Sequence, residues 1–267
     1  MKISVIIPTY KPKDYLWECL NSLVNQSFSQ DDFEVIIVLN GCSEPWKSQI
    51  EDFIVDNMQD LNVNFIQTDE GGVSNARNIG LDNARGKFIT FIDDDDFVSR
   101  LYLENLYKCK SNDTIVLCYP YAFNDGETSM QLPYSLTRTY DKYHSVGYSN
   151  SILSIRKYLS GPCMKLIPKE LIGIRRFDVR FKNGEDSLFM FLISDKIKFV
   201  KFSSKEAIYY RRYRESSATT SKRTLSNKIG NAIRLSASYI KIYLRSPFKY
   251  KTCFFVTRVL GAFKSVL

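Results

Sequence analysis

Four short apolar runs, each followed by residues with helical spacing or by a turn, fill the first ~95 positions of the chain. Ser4, Val5, Ile6 and Ile7 form a β-branched run; Leu16, Cys19, Leu20, Leu23 and Val24 then recur at intervals of three and four. Glu34 to Leu39 is a second strand, which Asn40-Gly41 ends, and Pro45 opens a helix. Val63 to Ile66 is a third strand. Gly71-Gly72 precedes a helix that runs to about Ala84 and closes at Arg85-Gly86. Phe88 to Ile92 is the fourth strand. Strands and helices alternating in this way predict an α/β fold with a mostly parallel central sheet and helices on both faces. Ligands of such sheets sit beyond the carboxyl ends of the strands. Three polar groups fall there: Pro8-Thr9-Tyr10, Asn40-Gly41 and the run Asp93-Asp94-Asp95-Asp96.

Adjacent carboxylates repel one another. At an effective dielectric near 20, two unit charges ~4 Å apart cost about 4 kcal/mol. A divalent cation turns that repulsion into shared attraction, and carboxylate oxygens suit magnesium or manganese. Alternate side chains of an extended segment point apart, so Asp93 and Asp95 share a side. The competing reading is a helix beginning near Val98 whose N-terminus the acids cap, worth roughly 0.3–1 kcal/mol.

Composition narrows the remaining classes. The chain has 267 residues, 44% hydrophobic and 25% charged, the profile of one or two folded globular domains. None of the six cysteines lies in a Cys-x-x-Cys pair, and one histidine cannot complete a zinc site, so a reducing cytoplasmic setting is expected. The N-terminal apolar run is too short for a secretory signal and ends at Pro8. No stretch approaches the ~18 apolar residues of a membrane span. The net charge of +8 is uneven: 222–267 carry ten Lys and Arg and no acid, which leaves 27 basic against 29 acidic residues in 1–221.

Beyond about residue 115 the pattern is mixed. Ile115 to Tyr119 is expected to be a strand, 124–150 mostly loop, Asp186 to about Ser194 a helix, Ile197 to Phe202 a strand and Glu206 to Tyr213 an edge strand. Two helices flank Pro247. Leu225, Ile229, Ile233, Ile240 and Leu244, then Phe255, Val259, Phe263 and Val266, recur at helical spacings among Arg234, Lys241, Arg245, Lys249, Lys251, Arg258 and Lys264. Such helices lie on an anionic membrane surface, or else pack on the body or on a partner subunit. A near-neutral body without a known binding module argues against nucleic acid.

Four motifs in order carry a resemblance: SVIIPTY at 4–10, GGVSNARNIGLDNARGKFITFIDDDD at 71–96, NGEDSLF at 183–189 and YRRYRESS at 210–217. Together they resemble the inverting family 2 glycosyltransferases of the GT-A fold, over roughly residues 3–218. The resemblance implies a GT-A catalytic domain over 1–221, with a nucleotide-sugar half to about 115 and an acceptor half from about 116. Residues 222–267 form the basic amphipathic tail. It further implies transfer of a sugar from a nucleotide-diphosphate donor to a hydroxyl of a glycan or lipid-linked acceptor in cell-surface polysaccharide or glycolipid assembly. The enzyme would then be peripheral on the inner face of the membrane.

Residue roles follow from the same resemblance. Pro8, Thr9 and Tyr10 would line the base pocket, Gly72 would open the helix that brings Arg77 to the donor, and Asp93 would contact ribose. Asp95, with Asp93, would hold Mn2+ or Mg2+, supported by Asp94 and Asp96. Asp186 would be the base, with Glu185 positioning acceptor or base; Arg212 or Arg214 would clamp phosphate. Lys165 would help order the acceptor side, whereas Cys163 and His144 are read as packing residues. The bland readings are strand-ending turns, a helix N-terminus and an exposed basic strand.

Two departures stand out. Relatives commonly carry two acids where this chain has Leu39-Asn40, so Asn40 would read the base with an amide. Many relatives place a metal-binding histidine where Arg214 aligns, and arginine cannot ligate a metal, so metal affinity would depend on bound donor. The alternatives are an inactive nucleotide-sugar-binding partner of another enzyme and a metal-dependent phosphohydrolase.

Overall fold

A computed structural model describes residues 1–146, 148–149, 152–214 and 224–265. The first half alternates as its periodicity requires: β1 Ile3–Thr9, α1 Tyr15–Val24, β2 Phe33–Asn40, α2 Trp46–Asn57, β3 Asn62–Thr68, α3 Val73–Asn83 and β4 Phe88–Phe91. Every residue of β1 and β2 is buried. Helix α1 buries Leu16, Cys19, Leu20 and Leu23, the face that its three-and-four spacing marks out. One acid lies within this apolar layer. Glu34 of β2 is fully buried, and accepts from Ser4 Oγ at 2.6 Å, from the Arg85 backbone N–H at 2.7 Å and from Arg85 Nε at 2.8 Å. Those bonds offset the cost of burying its charge and tie the chain leaving α3 to the sheet.

The chain continues through β5 Phe97–Val98, α4 Tyr102–Lys108, β6 Thr114–Leu117, β7 Tyr119–Asn124, α5 Ser135–Tyr143, β8 Tyr148–Ser149, β9 Lys165–Pro168 and α6 Lys169–Ile172. It ends with α7 Glu185–Ile193, β10 Phe199–Phe202, β11 Ile208–Tyr213, α8 Leu225–Arg245 and α9 Thr252–Ala262. Eight strands form one sheet in the order β3-β2-β1-β4-β9-β6-β10-β8, and β5-β11-β7 form a second. Strands β3, β2, β1 and β4 run parallel, and β9 returns antiparallel between β4 and β6. The carboxyl ends of the parallel strands therefore meet on one side, beside a reversal of strand direction.

Several local expectations are corrected. The helix expected near Val98 starts at Tyr102, because Phe97 and Val98 pair with Tyr210 and Tyr209 of β11. Strand β11 is central in its sheet rather than an edge, since β7 pairs along its other side. The run through Tyr119 is two strands: Cys118 breaks it and donates its N–H to the Met164 carbonyl. Helix α5 occupies part of the expected loop, held by buried Leu136, Thr137 and Tyr140. His144 stacks on Tyr140 at 4.8 Å, the packing role expected of it.

Helices α8 and α9 lie against α7. Ala232, Leu235, Ser236 and Tyr239 are the buried residues of α8, and Phe254 that of α9. Leu225, Ile233 and Leu244 are 60%, 56% and 68% exposed, so on α8 the stripe read from the sequence is not the face that packs on the body, whereas Phe255 and Val259 of the α9 stripe do pack against the core. Val266 and the expected boundary at 221/222 lie outside the described residues. Among the described residues, no helix is long and apolar enough to cross a membrane.

Candidate active site

A cleft of about 1040 Å³ opens beyond the carboxyl ends of β1 to β4. Pro8, Thr9 and Tyr10 line it from β1, Asn40 and Gly41 from β2, Asp69 from β3, and Asp93, Asp94 and Asp95 from the segment after β4. Gly71, Gly72, Val73 and Arg77 enter from α3, Asn183 to Asp186 from the start of α7, and Arg214 from beyond β11.

Each carboxylate of the aspartate run is held differently. Asp93 accepts from Arg77 Nη2 at 2.9 Å, and its backbone N–H donates to Tyr209 Oη at 3.1 Å. Thr9 Oγ1 donates to Asp94 at 2.5 Å, and Arg214 pairs with Asp95. Asp96 is buried, accepts the Arg212 backbone N–H at 2.8 Å and supports the turn rather than lining the cleft. Burial pushes the Asp94 carboxyl up to about 6, with the neighbouring acids adding to it against the Thr9 bond. Burial and Asp93 likewise raise Asp95, even beside Arg214. Asp93, Asp94 and Asp95 all line the cleft and offer it hard carboxylate oxygens. The residues present fit a hard divalent cation in that respect. Among the described residues no three of His, Cys, Asp and Glu are grouped to hold a metal by themselves, so phosphate or water oxygens would complete its shell.

Arg77 joins the two ends of the cleft. Its buried guanidinium donates from Nη1 to Asp186 Oδ1 at 2.5 Å and from Nη2 to Asp93 Oδ1 at 2.9 Å. It lies 5.5 Å from the Phe177 ring centroid, and that ring stacks on Phe189 at 3.8 Å. Asn78, one residue on, fixes Phe177 by accepting its N–H at 2.7 Å and donating to its carbonyl at 2.9 Å. Burial lifts the Asp186 carboxyl above the ordinary carboxylate range, although Arg77 pulls the other way.

The tail shapes the turn that presents Asp186. Gly184 has φ +84°, and a Cβ there would lie 2.5 Å from Leu235 Cδ2 of α8. Asn231 donates to the Asn183 carbonyl at 3.3 Å, and Tyr239 shares a hydrogen bond with Ser187. Residues 231, 235 and 239 sit one turn apart, so one face of α8 backs the whole Asn183–Ser187 segment. Arg258 of α9 donates to the carbonyls of Leu159 at 2.7 Å and Arg156 at 2.8 Å, and to Ser160 Oγ at 3.1 Å; Ser160 also lines the cleft.

Asn40 has a scaffolding task. It donates to the Thr9 carbonyl at 2.7 Å and accepts the Gly72 N–H at 2.7 Å, strapping three loops together. Gly41, at φ +67°, approaches Gly71 so closely that a Cβ would lie 2.8 Å from the Gly71 Cα. Arg214 lines the cleft as expected, but Arg212 does not. Arg212 is buried; it pairs with Glu18, donates to Asp125 at 2.8 Å and to the Asp95 carbonyl at 3.0 Å, and lies 4.7 Å from the Tyr15 ring centroid. The remainder of YRRYRESS from residue 215 lies outside the described residues. Lys165 is buried near this wall. It donates to the carbonyls of Cys163 at 2.5 Å and Gly161 at 2.6 Å, and burial pulls its pKa down to about 8. Asp69, Ser160 and Lys182 also line the cleft, and nothing in their sequence context marked them.

The family model described as glycosyl transferase family 2 matches residues 4–162, which include the aspartate run and Arg77 but not Asp186. Glycosyltransferase GlyA of Streptococcus pneumoniae is 28% identical over 81% of this chain and 31% of its own length. The minor teichoic acid biosynthesis protein GgaB of Bacillus subtilis is 31% identical over 84% of this chain and 24% of its own length. The chain thus spans about a third or less of these relatives. The structure of S. aureus TarS 1–349 in complex with UDP-GlcNAc superposes with a TM-score of 0.75 at 23% identity, covering 99% of this chain and 73% of that one, which shows a shared GT-A fold. With the match extending over more than half of the chain and taking in the strand-end acidic turn, the chain belongs to glycosyl transferase family 2.

Proposed function

We propose that this cleft transfers a sugar from a nucleoside-diphosphate donor to an acceptor hydroxyl, with inversion at the anomeric carbon, in cell-surface polysaccharide or glycolipid assembly. The observation that carries the reading is Arg77: one buried cation links the aspartate run to Asp186 inside a single cleft. Pro8, Thr9, Tyr10 and Gly41 form the wall for the base, and the start of α3 at Gly72 favours the negative diphosphate. Asp93 faces ribose, and Asp95 with Asp93 would hold Mn2+ or Mg2+. Such a cation supplies electrostatic stabilisation of the leaving diphosphate. Arg214, free to exchange Asp95 for phosphate, takes the clamp role, while Arg212 anchors the strand behind it.

Asp186 is the base. Arg77 holds its Oδ1, which leaves Oδ2 to take the proton of the acceptor hydroxyl. The acceptor oxygen attacks the anomeric carbon from the face opposite the diphosphate, the sugar–phosphate C–O bond breaks, and the configuration inverts. Glu185 positions the acceptor. Residues 222–267 are read as facing a membrane, which brings a lipid-linked acceptor to the same surface. This reading draws support from the outward stripe of α8.

Titration calorimetry with UDP, GDP and dTDP, with and without Mn2+, tests the donor site, and diphosphate release from the matching nucleotide sugars tests transfer. Metal-dependent binding of one nucleotide, with release that Asp186→Asn abolishes without weakening binding, is expected. Absence of metal-dependent binding to any of them overturns the donor assignment. Binding without turnover leaves the inactive-partner reading in its place.

A further inference from the structure

On the flank formed by α8 and residues 174–181, two adjoining hollows of about 310 and 410 Å³ share Arg180, Ser238 and Lys241 in their walls. Arg234 completes one; Arg176 and Arg245 line the other. Arg176 is paired with Asp82 and Arg180 with Asp178, both at 2.6 Å. Arg234, Lys241 and Arg245 have no ion-pair partner among the described residues and project from one side of α8 at intervals of seven and four. The adjoining side of the same helix carries the exposed stripe of Leu225, Ile229, Ile233, Ile240 and Leu244. Across the hollows, Ile174 is almost fully exposed and Val179 is more than half exposed.

Basic groups on one side of α8, with Asp178 as the acid in the wall beside them, and apolar side chains on the adjoining side share a surface that is exposed among the described residues. A soluble phosphate would use the cations and leave the stripe in water. An acyl chain would use the stripe and leave the cations unmatched. A bilayer of anionic phospholipid uses both, because the phosphates lie at the depth where cations flanking an interfacial helix are held.

We propose that the groove between α8 and residues 174–181 is a headgroup site that takes the phosphate of an anionic membrane phospholipid while the α8 stripe enters the acyl boundary. The proposal rests on the membrane-facing reading of the tail and adds the site and the lipid class. It also gives the cleft a fixed attitude to the bilayer, since the helix that docks is the helix that backs the Asn183–Ser187 turn.

The test is co-sedimentation of the full chain with vesicles of phosphatidylcholine alone or with about 30% phosphatidylglycerol. Arg234→Gln/Lys241→Gln is compared with wild type, and Ile233→Asp/Ile240→Asp serves as a second variant. Each cation near such a surface contributes roughly 1 kcal/mol, so the double Gln variant should bind anionic vesicles about 30-fold more weakly and lose its preference over neutral ones. The Asp variant should bind neither. Far-UV circular dichroism and nucleotide affinity, expected unchanged, show that the variants fold. If wild type sediments with neither vesicle, the membrane-facing reading falls and this proposal with it. If wild type binds anionic vesicles and the Gln variant binds equally well, the headgroup site alone is refuted.

Discussion

Replacing Arg77 with methionine removes the cation from between Asp93 and Asp186 while keeping most of the side-chain volume. The two contacts are unequal. The Asp93 side chain is 42% exposed, so water screens that pair, whereas Asp186 is 29% exposed and loses more. Removing one partner of a buried pair costs about 3–5 kcal/mol; partial exposure of both acids puts the expected loss near the lower end, about 3 kcal/mol at neutral pH. The sign with pH follows from Asp186. Burial already holds its carboxyl above the ordinary range with Arg77 present, and losing Arg77 pushes it higher. An acid raised in the folded state penalises folding only once ionised. The penalty is therefore full near pH 7.5, declines as pH falls through the folded value and is gone only below the ordinary carboxylate value of the unfolded chain. Urea unfolding should show the variant about 3 kcal/mol less stable near pH 7.5 and within about 1 kcal/mol of wild type near pH 4.5. In the Arg77→Met background, Asp186→Asn should restore much of the loss at neutral pH. An equal loss at both pH values, or no restoration by the second change, would refute an electrostatic role for Arg77.

Three further outcomes follow from the same contacts. Leu235→Ala should cost about 2–4 kcal/mol and lower kcat more than it raises KM for the donor, because it loosens the turn carrying Asp186 but not the nucleotide wall; steady-state kinetics against donor concentration check the split. Gly184→Ala should combine left-handed strain of roughly 1–2 kcal/mol with a clash against Leu235, and Leu235→Ala should relieve part of its defect in a double-mutant cycle. Lys165, whose pKa burial pulls down to about 8, should contribute a rise in stability between about pH 8 and pH 10, since the unfolded chain there holds a proton that the folded chain has released, and so should oppose the alkaline loss from Cys19, Cys118 and Cys163, whose thiols burial pushes up. Lys165→Met should remove that contribution, so that between about pH 8 and pH 10 the variant loses stability relative to wild type in denaturant titrations.

Much of the donor half was legible because its signals are local. A run of β-branched residues between helical spacings fixes a buried parallel strand, and parallel topology places strand ends together whatever the side chains do. That is why Pro8, Asn40 and Asp93 fell together in one cleft. The acceptor half was less legible. Strand β11 read as an edge because its partner β7 shares no sequence signal with it, and α5 was lost among polar residues that only its amphipathic face redeems. Arg212 and Arg214 are two residues apart and alike in type. One is folded under the strand against Glu18 and Asp125, and the other meets Asp95 in the cleft.

The sequence by itself determined the alternation of strands and helices, the acidic turn at a strand end and the charge of the tail, because periodicity, repulsion between adjacent acids and net charge are properties of neighbours along the chain. Tertiary structure alone decided that Arg77 bridges acids 16 and 109 residues away, that Asn40 straps loops together, and that α8 packs through Leu235 and Tyr239 and turns its isoleucines outward. An amphipathic helix can have two apolar faces in its sequence. Which one is buried depends on the surface it meets, and that surface is assembled from segments far apart in the chain.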